Sequence, residues 1–118
     1  MRVLILLLSM ASFLGAQAPG AAQNATPTGN AQNGKKIFSN YGCYQCHGYA
    51  GQGGAAGARI APRPIAFQLF SKYVRHPSGQ MPPYTAKVVT EQELADIYAY
   101  LQSIPAPPDV KSIPILNN

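Results

Sequence analysis

Cys43-Tyr44-Gln45-Cys46-His47 is the stretch that decides the fold of this chain. Two cysteines separated by two residues and followed directly by histidine form the pattern for covalent haem attachment. Each thiol can add across one vinyl group of a haem, and the adjacent imidazole can bind the iron as the proximal ligand. The motif therefore predicts that Cys43 and Cys46 attach a haem and that His47 is an axial ligand of its iron.

Two other uses of a Cys-x-x-Cys pair compete with haem attachment. The pair can be a thioredoxin-type redox dithiol, which needs a framework of strands and helices, or half of a zinc site, which needs more cysteine or histidine. The chain contains two cysteines, and His76 is its one further histidine. Both alternatives stay open, but this composition favours haem attachment.

Length and composition allow one small domain. The 118 residues include 11 glycines and 11 prolines, which predicts many turns. We expect the compact region at residues 30–104. A region of this size is close to the limit at which a hydrophobic core needs additional stabilisation, and a covalently bound haem would provide it. The formal net charge of +5, with no basic run carrying interleaved aromatics, does not indicate nucleic-acid binding. It suits docking to an acidic redox partner.

The N-terminal end has the pattern of a secretory signal peptide. Residues 1–18 combine a basic residue, Arg2, with an apolar run and then small residues. Cleavage after Ala16, Ala18 or Ala22 fits the pattern. The apolar run is short for a membrane span, which needs ~20 residues, so an uncleaved anchor is the alternative.

Two further segments lie outside the expected domain. Residues 19–29 are rich in Ala, Gln, Asn, Thr and Pro without apolar periodicity, which predicts a flexible linker. Residues 105–118 form a Pro-rich tail whose first residues should be extended. The rest of the tail shows too little pattern for an assignment.

Two helices are predicted on either side of the haem motif. Asn30 is a suitable N-cap for a helix over residues 31–41, and Gly42 should end it. The apolar edge of this helix consists of Gly34, Ile37, Phe38 and Tyr41. A second helix is predicted over residues 64–76, with a proline in its first turn and Pro77 stopping it.

A third helix opens at a capping box. Thr90 stands at the N-cap position and Glu93 three residues later. The helix should run to about Ser103. One face carries its apolar residues, namely Leu94, Ile97, Tyr98 and Leu101.

The segment after the motif should be a loop, because residues 48–61 contain five glycines. The outer nitrogen of the His47 ring needs an acceptor that orients it, and a loop carbonyl commonly fills that role. We expect this acceptor among residues 57–60. Arg59 and Arg63 are candidates for bidentate contacts with haem propionates, the alternative being exposed, solvated side chains.

Met81 is the second residue that points to haem chemistry. The other two methionines lie in the predicted leader, and two prolines directly follow Met81 and restrict its backbone. A thioether is a soft ligand suited to haem iron, and methionine opposite histidine raises the reduction potential. A lone methionine is otherwise often a gap filler in a core. We interpret Met81 as the distal ligand, with His76 as a weaker competitor that should lie on the surface.

Taken together, these elements resemble the class I c-type cytochromes. The order is a helix, Cys-x-x-Cys-His, a glycine-rich loop, an apolar helix, Met-Pro and a terminal helix, and the likeness covers residues 30–104. The resemblance implies an all-α, small cytochrome c-like fold with three to four helices around one covalently bound haem c. In that family a small residue and an aromatic of the first helix pack against an aromatic of the last, which Gly34, Phe38 and Tyr100 match.

The resemblance also has two departures. Family members often carry proline after the glycine of the loop that follows the motif, where this chain has Ala58 after Gly57. The chain also has no tryptophan, so propionate contacts made by tryptophan in some members would come from tyrosine or arginine here. Neither departure affects the matched residues Cys43, Cys46, His47 and Met81.

The function implied by the resemblance is that of an exported electron carrier without substrate chemistry of its own. Haem attachment in this family is completed outside the bacterial cytoplasm, so we expect the periplasm, with membrane association only if the leader is uncleaved. The alternatives are a haem subunit of a larger dehydrogenase or oxidoreductase complex and, less favoured, a haem peroxidase or sensor with open iron. Lysines that could steer a redox partner with an acidic surface are Lys35, Lys36, Lys72 and Lys87.

Overall fold

Helices make up all the regular secondary structure in residues 26–116, the part of the chain that the computed structural model describes. In chain order they are α1 (Ala31–Asn40), α2 (Cys43–His47), α3 (Phe67–Arg75) and α4 (Glu91–Ser103), followed by two short 3-10 helices, Val110–Ser112 and Pro114–Leu116. The prediction of an all-α fold with three to four helices is confirmed.

Helix α1 begins where the sequence indicated and ends at Asn40, one residue before the predicted end. The Asn30 side chain accepts a hydrogen bond from the backbone N–H of Asn33 at 3.0 Å, which satisfies one free donor of the first turn. Directly after the helix, Gly42 has a φ of 77°, a left-handed conformation that favours glycine. The predicted cap and the predicted stop are both confirmed, and Gly42 turns the chain directly into α2.

Helix α4 opens with the predicted capping box. The Thr90 hydroxyl accepts a hydrogen bond from the backbone N–H of Glu93 at 3.2 Å, and the Glu93 carboxylate accepts one from the backbone N–H of Thr90 at 2.7 Å. Because two otherwise free donors are satisfied reciprocally, the start of the helix is well defined. The four apolar residues predicted to share a face are all buried: Leu94, Ile97, Tyr98 and Leu101.

The core centres on the contact between α1 and α4. Gly34 lies so close to α4 that a Cβ at this position would collide with the carbonyl oxygen of Asp96. One turn later, Phe38 packs against Tyr100 with ring centroids 5.6 Å apart and an interplanar angle of 58°. Phe38 is 1% exposed, and burying an aromatic side chain of this kind contributes ~1.5–3 kcal/mol. The expected contact of a small residue and an aromatic with the last helix is therefore present.

A buried carboxylate, Asp96, ties the start of α1 to α4. Asp96 is 4% exposed and accepts hydrogen bonds from the backbone N–H of Asn30 at 2.7 Å and from the side-chain amides of Asn33 at 2.7 Å and Gln92 at 3.1 Å. Burial acts to raise the pKa of Asp96, but the three hydrogen bonds outweigh it and hold the pKa below its ordinary value. Asp96 is therefore a charged, fully partnered group inside the fold.

Helix α3 starts later than the sequence indicated. The helix expected over residues 64–76 is observed as Phe67–Arg75, so the predicted start at Pro64 is wrong. Ala66 has a ψ of 140° and caps the helix, and Ile65 is 56% exposed, so an earlier start would bury nothing. The residues that α3 buries begin with its first one: Phe67, Phe70 and Val74.

The chain before α1 contacts the body of the fold. The carbonyl oxygen of Thr28 accepts a hydrogen bond from Gln92 at 2.8 Å, and a Cβ on Gly29 would collide with the carbonyl oxygen of Ala95. The last two residues of the predicted linker therefore lie against α4. The predicted signal peptide and residues 19–25 fall outside the described residues.

The tail after α4 has two parts. Residues 105–108 lack regular secondary structure, in keeping with the expected extended start of the tail, and the two 3-10 helices follow where the sequence allowed no assignment. Among the helices of residues 26–116, none is both long enough and apolar enough to cross a membrane.

Candidate functional site

Helix α2 presents both cysteines and the histidine of the motif on one short helix. Residues three and four apart lie on the same face, so Cys43 shares its side with Cys46 and His47. The helix is capped by Gly48, whose φ is 75° and whose N–H donates to the carbonyl oxygen of Tyr44 at 2.8 Å. Cys43 is partly buried, Cys46 is exposed, and both are free thiols. The local backbone therefore brings the three predicted groups together.

The ring of His47 is oriented by the loop that follows it. Its Nδ1 lies 2.7 Å from the carbonyl oxygen of Ala58. A carbonyl oxygen only accepts, so Nδ1 carries the proton and donates it, which leaves the Nε2 lone pair free to bind a metal. The loop acceptor expected among residues 57–60 is confirmed at Ala58, the position where proline is common in the resembling family.

The loop packs closely against α2, and two of its positions, Gly51 and Gly57, have no room for a side chain. A Cβ on Gly57 would stand 2.7 Å from the carbonyl oxygen of Cys46, tighter than real side chains allow. Gly51 is buried with a φ of 61°, and its carbonyl oxygen accepts hydrogen bonds from the N–H groups of Ile60 at 2.8 Å and Ala61 at 3.0 Å. These bonds close the loop on itself and bring the Ala58 carbonyl to the histidine.

Tyr84, three residues after Met81, lies close to the cysteine motif. Met81 is partly buried and packs against the hydrophobic core, as Cys43 does. Burial raises the pKa of the Tyr84 phenol, and the nearby sulfurs of Cys43 and Cys46 raise it further. The Tyr84 hydroxyl also donates to the carbonyl oxygen of Tyr41 at 2.9 Å. The segment that follows Met81 is therefore held beside the start of α2.

The environment of Cys43 does not suit a redox dithiol. Burial raises the pKa of the Cys43 thiol to about 11, whereas reactive thiols of that class have a lowered pKa. The strand framework of thioredoxin-like proteins is also missing from residues 26–116. In the same residues, no group of three or more His, Cys, Asp or Glu side chains could hold a metal ion, so the zinc alternative gains no support.

Two arginines predicted as propionate contacts lie together at the surface. Arg59 and Arg63 are both exposed, and Arg59 Nε donates a long hydrogen bond of 3.4 Å to the carbonyl oxygen of Gln52. A surface cavity of about 270 Å³ is lined by Arg59, Ala61, Pro62, Arg63 and Pro107. Two arginines at one cavity suit an anionic group, and the propionate role of Arg59 stays a prediction.

The remaining candidates from the sequence are surface residues. His76, the competing histidine, is exposed, as expected. The four lysines suggested for partner steering are exposed as well: Lys35, Lys36, Lys72 and Lys87. Their exposure leaves them available for contact with another protein.

Arg75 is a functional candidate that the sequence did not single out. Its guanidinium donates to the carbonyl oxygens of Tyr84 at 2.9 Å and Val89 at 2.6 Å, both in the segment between Met81 and α4. The residue type alone does not distinguish this arginine from the other cations. The one available signal is its place in the last turn of a helix that precedes the Met-Pro pair.

The described residues fit a covalently bound haem on chemical grounds. They supply two thiols, an imidazole with a free Nε2 and a thioether. Several side chains pack on the core without being fully covered, among them Tyr41, Cys43, Tyr44, Ile60, Met81 and Tyr84. Leu69 and Tyr73 on α3 are 59% and 44% exposed. A large apolar ring would cover surface of this kind, which otherwise costs free energy in water.

Two comparisons with known proteins find similarity to cytochromes. A family model described as cytochrome c oxidase, cbb3-type, subunit III matches residues 29–101. Cytochrome c-555 of Methylococcus capsulatus (strain Bath) is 30% identical over 72 residues, a match that covers 59% of this chain and 58% of the relative. The chain thus spans less than two thirds of the length of that relative. No solved structure gives a significant match.

Proposed function

Because the chain belongs to the family described as cytochrome c oxidase, cbb3-type, subunit III, and so to the class I c-type cytochromes, we propose that it is an exported monohaem carrier of single electrons. Proteins of this family hold haem c covalently and are electron carriers without substrate chemistry of their own. The finer points of our proposal concern which residues hold the haem, where the protein works and what it contacts.

We assign the haem to four residues. Cys43 and Cys46 would form the thioether bonds, His47 would bind the iron from the proximal side, and Met81 would bind it from the distal side. The observation that carries this assignment is the 2.7 Å hydrogen bond from His47 Nδ1 to the Ala58 carbonyl oxygen. It fixes the tautomer that a proximal ligand needs and increases the electron donation of the ring.

The arrangement favours electron transfer over catalysis. When bound, haem iron supplies a one-electron couple. With His47 on one side and Met81 on the other, the protein would leave no coordination position for a substrate, so a change of oxidation state would alter charge but little geometry. An exposed haem edge would allow transfer by brief contact with a partner.

The organisation of the chain follows from this role. Residues 1–18 would be a signal peptide that directs the protein to the bacterial periplasm, and residues 19–29 would link it to the cytochrome domain at 30–104. Arg59 would pair with a haem propionate, a role supported by its exposure and by the surface cavity that it lines together with Arg63. The tail, residues 105–118, would lie outside the domain.

Optical spectroscopy of the purified, exported protein tests the central proposal. A low-spin ferric spectrum with a methionine-sulfur charge-transfer band is the expected result. A high-spin ferric spectrum would mean an open iron position and would replace the carrier with a peroxidase or sensor. A protein without haem absorbance would restore the dithiol alternative.

Partner docking is tested by the salt dependence of the transfer rate. Lys35 and Lys36 are adjacent and exposed on α1, so replacing both by glutamine should slow reduction by an acidic partner protein and flatten the dependence on ionic strength. The control is Lys111→Gln, which removes one exposed positive charge from the tail. A rate that is independent of ionic strength in the unaltered protein would remove the steering proposal.

A second candidate is a haem-bearing subunit of a larger oxidoreductase complex. The description of the matching family model, an oxidase subunit, supports it. The same four haem residues would serve equally well in that setting. Purification from native membranes and from the periplasm, followed by sizing, separates the two: co-elution with a larger redox enzyme favours the subunit, and recovery as a free small protein favours the carrier.

A further inference from the structure

The guanidinium of Arg75, at the end of α3, donates hydrogen bonds to three residues. Arg75 Nη1 donates to the carbonyl oxygen of Tyr84 at 2.9 Å and to that of Val89 at 2.6 Å, and its Nη2 donates to the Glu91 carboxylate at 3.1 Å. The Arg75 side chain is 14% exposed and that of Glu91 is 55% exposed. The carbonyl contacts therefore lie on the sheltered side of the guanidinium and the ion pair on its solvent side.

The two carbonyl oxygens belong to one curled segment of backbone. Between them, the N–H groups of Val88 and Val89 both donate to the carbonyl oxygen of Thr85 at 3.0 Å, which folds the chain back on itself. The carbonyls of Tyr84 and Val89 consequently converge on Arg75 from the two ends of this curl. The guanidinium thus bridges the two ends of this segment with hydrogen bonds.

Tyr84 is fixed at three of its polar groups. Its N–H donates to the carbonyl oxygen of Val74 at 3.1 Å, its carbonyl oxygen accepts from Arg75, and its hydroxyl donates to the carbonyl oxygen of Tyr41 at 2.9 Å. Two of the three bonds go to neighbouring residues at the end of α3. The position of Tyr84 is therefore set by the end of α3 and by Tyr41, the residue that directly follows α1.

The anchoring of Tyr84 reaches Met81 through two prolines. Pro82 and Pro83 are the residues between them, and each proline ring fixes its φ near −65°. With those torsions removed, the backbone from Met81 to Tyr84 has few soft degrees of freedom. A displacement of Tyr84 would thus be passed on to Met81 rather than absorbed between them.

We infer that Arg75 is a positioning residue for the thioether of Met81, acting through the carbonyl oxygens of Tyr84 and Val89. This inference rests on the proposed role of Met81 as the distal ligand. Arginine suits the task because its planar group offers five donors in fixed directions and stays charged at all relevant pH values. A lysine at position 75 could pair with Glu91 but could not reach both carbonyl oxygens with the same geometry.

Competition by an added ligand measures how firmly Met81 is held. The experiment titrates imidazole into the full-length ferric haem protein and follows loss of the methionine-sulfur charge-transfer band. In Arg75→Gln the two sheltered carbonyl oxygens lose their donor, and the apparent affinity for imidazole should rise about tenfold. Arg75→Lys should give an intermediate rise, because its ammonium can satisfy one carbonyl oxygen.

Two controls separate positioning from a loss of charge or of the ion pair. Lys111→Gln removes one exposed positive charge from the tail and should leave the imidazole affinity unchanged. Glu91→Gln removes the ion pair but keeps both carbonyl contacts, so its effect should be smaller than that of Arg75→Lys. An effect of Glu91→Gln equal to that of Arg75→Gln would overturn the role of the carbonyl contacts.

Global unfolding must be measured beside ligand loss. Urea titrations followed by the charge-transfer band and by far-ultraviolet circular dichroism should separate in the Arg75 variants, with the band lost first. Coincident curves together with an unchanged imidazole affinity would make Arg75 a structural residue only. If Arg75→Gln fails to take up haem, the Arg75→Lys protein decides by the same two readouts.

The proposed function fails in a different way. If the unaltered protein shows no charge-transfer band, Met81 is not the ligand and the assignment of the haem residues falls, whatever Arg75 does. If the unaltered protein has the band and both Arg75 variants match it in imidazole affinity, only the positioning inference falls.

Discussion

The hydroxyl of Tyr84 donates a hydrogen bond to the carbonyl oxygen of Tyr41 at 2.9 Å. Tyr41 stands two residues before Cys43, and Tyr84 stands three residues after Met81. The bond therefore joins the two parts of the chain that carry the proposed haem ligands, without passing through the haem. It also gives the phenol a partner in a partly buried position, where an unpaired hydroxyl would be costly.

Removing this bond tests how far the two parts support each other. Tyr84→Phe keeps the ring and should lower the free energy of unfolding by about 1 kcal/mol, the typical value of one hydrogen bond. Urea unfolding followed by circular dichroism measures it. Tyr49→Phe is the matched control because Tyr49 is 71% exposed, and it should leave stability unchanged. Equal stability of the two variants would mean that the Tyr84 bond contributes nothing.

The distal ligand is tested by Met81→Leu. Leucine keeps the apolar volume but offers no donor to iron, so the methionine-sulfur charge-transfer band should vanish and the reduction potential should fall. Absorption spectra and a redox titration measure both. His76→Gln is the control for the competing histidine, and it should change neither readout. An unchanged spectrum in Met81→Leu would eliminate this ligand assignment.

The contact between α1 and α4 is tested by Gly34→Ala. A Cβ at position 34 would collide with the backbone of Asp96, and neither helix can yield without repacking. We expect a loss of about 1–3 kcal/mol in the free energy of unfolding, the usual cost of overpacking. Gly54→Ala is the control, because its nearest neighbour, the Cys46 carbonyl oxygen, would lie at 3.5 Å. A Gly34→Ala protein as stable as Gly54→Ala would contradict this account.

The buried carboxylate gives a pH dependence with a defined sign. The hydrogen bonds of Asp96 hold its pKa below the ordinary value despite burial, so its stabilising contribution is complete above the unfolded value of about 3.9. It is lost as the pH falls through the lower pKa of the folded state.

Asp96→Asn isolates that contribution. The new amide would turn an NH₂ group towards one of the donors that Asp96 now satisfies, so we expect a loss of about 2 kcal/mol at pH 7. Urea unfolding at pH 7 and at pH 3 should show a smaller difference between the two proteins at pH 3. A difference that is the same at both values would mean that Asp96 carries no titrating stability.

Local features of the fold were accessible from the sequence because they depend on neighbouring residues. The cap at Asn30, the left-handed Gly42 and the capping box from Thr90 to Glu93 each involve residues within a few positions of one another. The acceptor for the His47 ring could also be predicted to within four residues, because it lies in the loop that directly follows the histidine.

Contacts between distant segments were not accessible in the same way. Arg75 donates to carbonyl oxygens 9 and 14 residues away. Because every residue has a main-chain oxygen, the sequence does not indicate which of them accepts such a bond. Asp96 is buried with amides more than 60 residues earlier in the chain, although a charged residue at such a position is usually exposed. The start of α3 was misplaced because a proline fits the first turn of a helix but does not require one.

The orientation of the His47 ring depends on an oxygen that belongs to the main chain. Any amino acid at position 58 would supply the same backbone carbonyl oxygen. Substitutions there should therefore leave the hydrogen bond to His47 Nδ1 unchanged as long as the loop keeps its conformation. A protein engineer who wishes to retune the imidazole would gain nothing by exchanging the acceptor residue. The effective handles are Gly51 and Gly57, where an added methyl group would reshape the loop and move that oxygen.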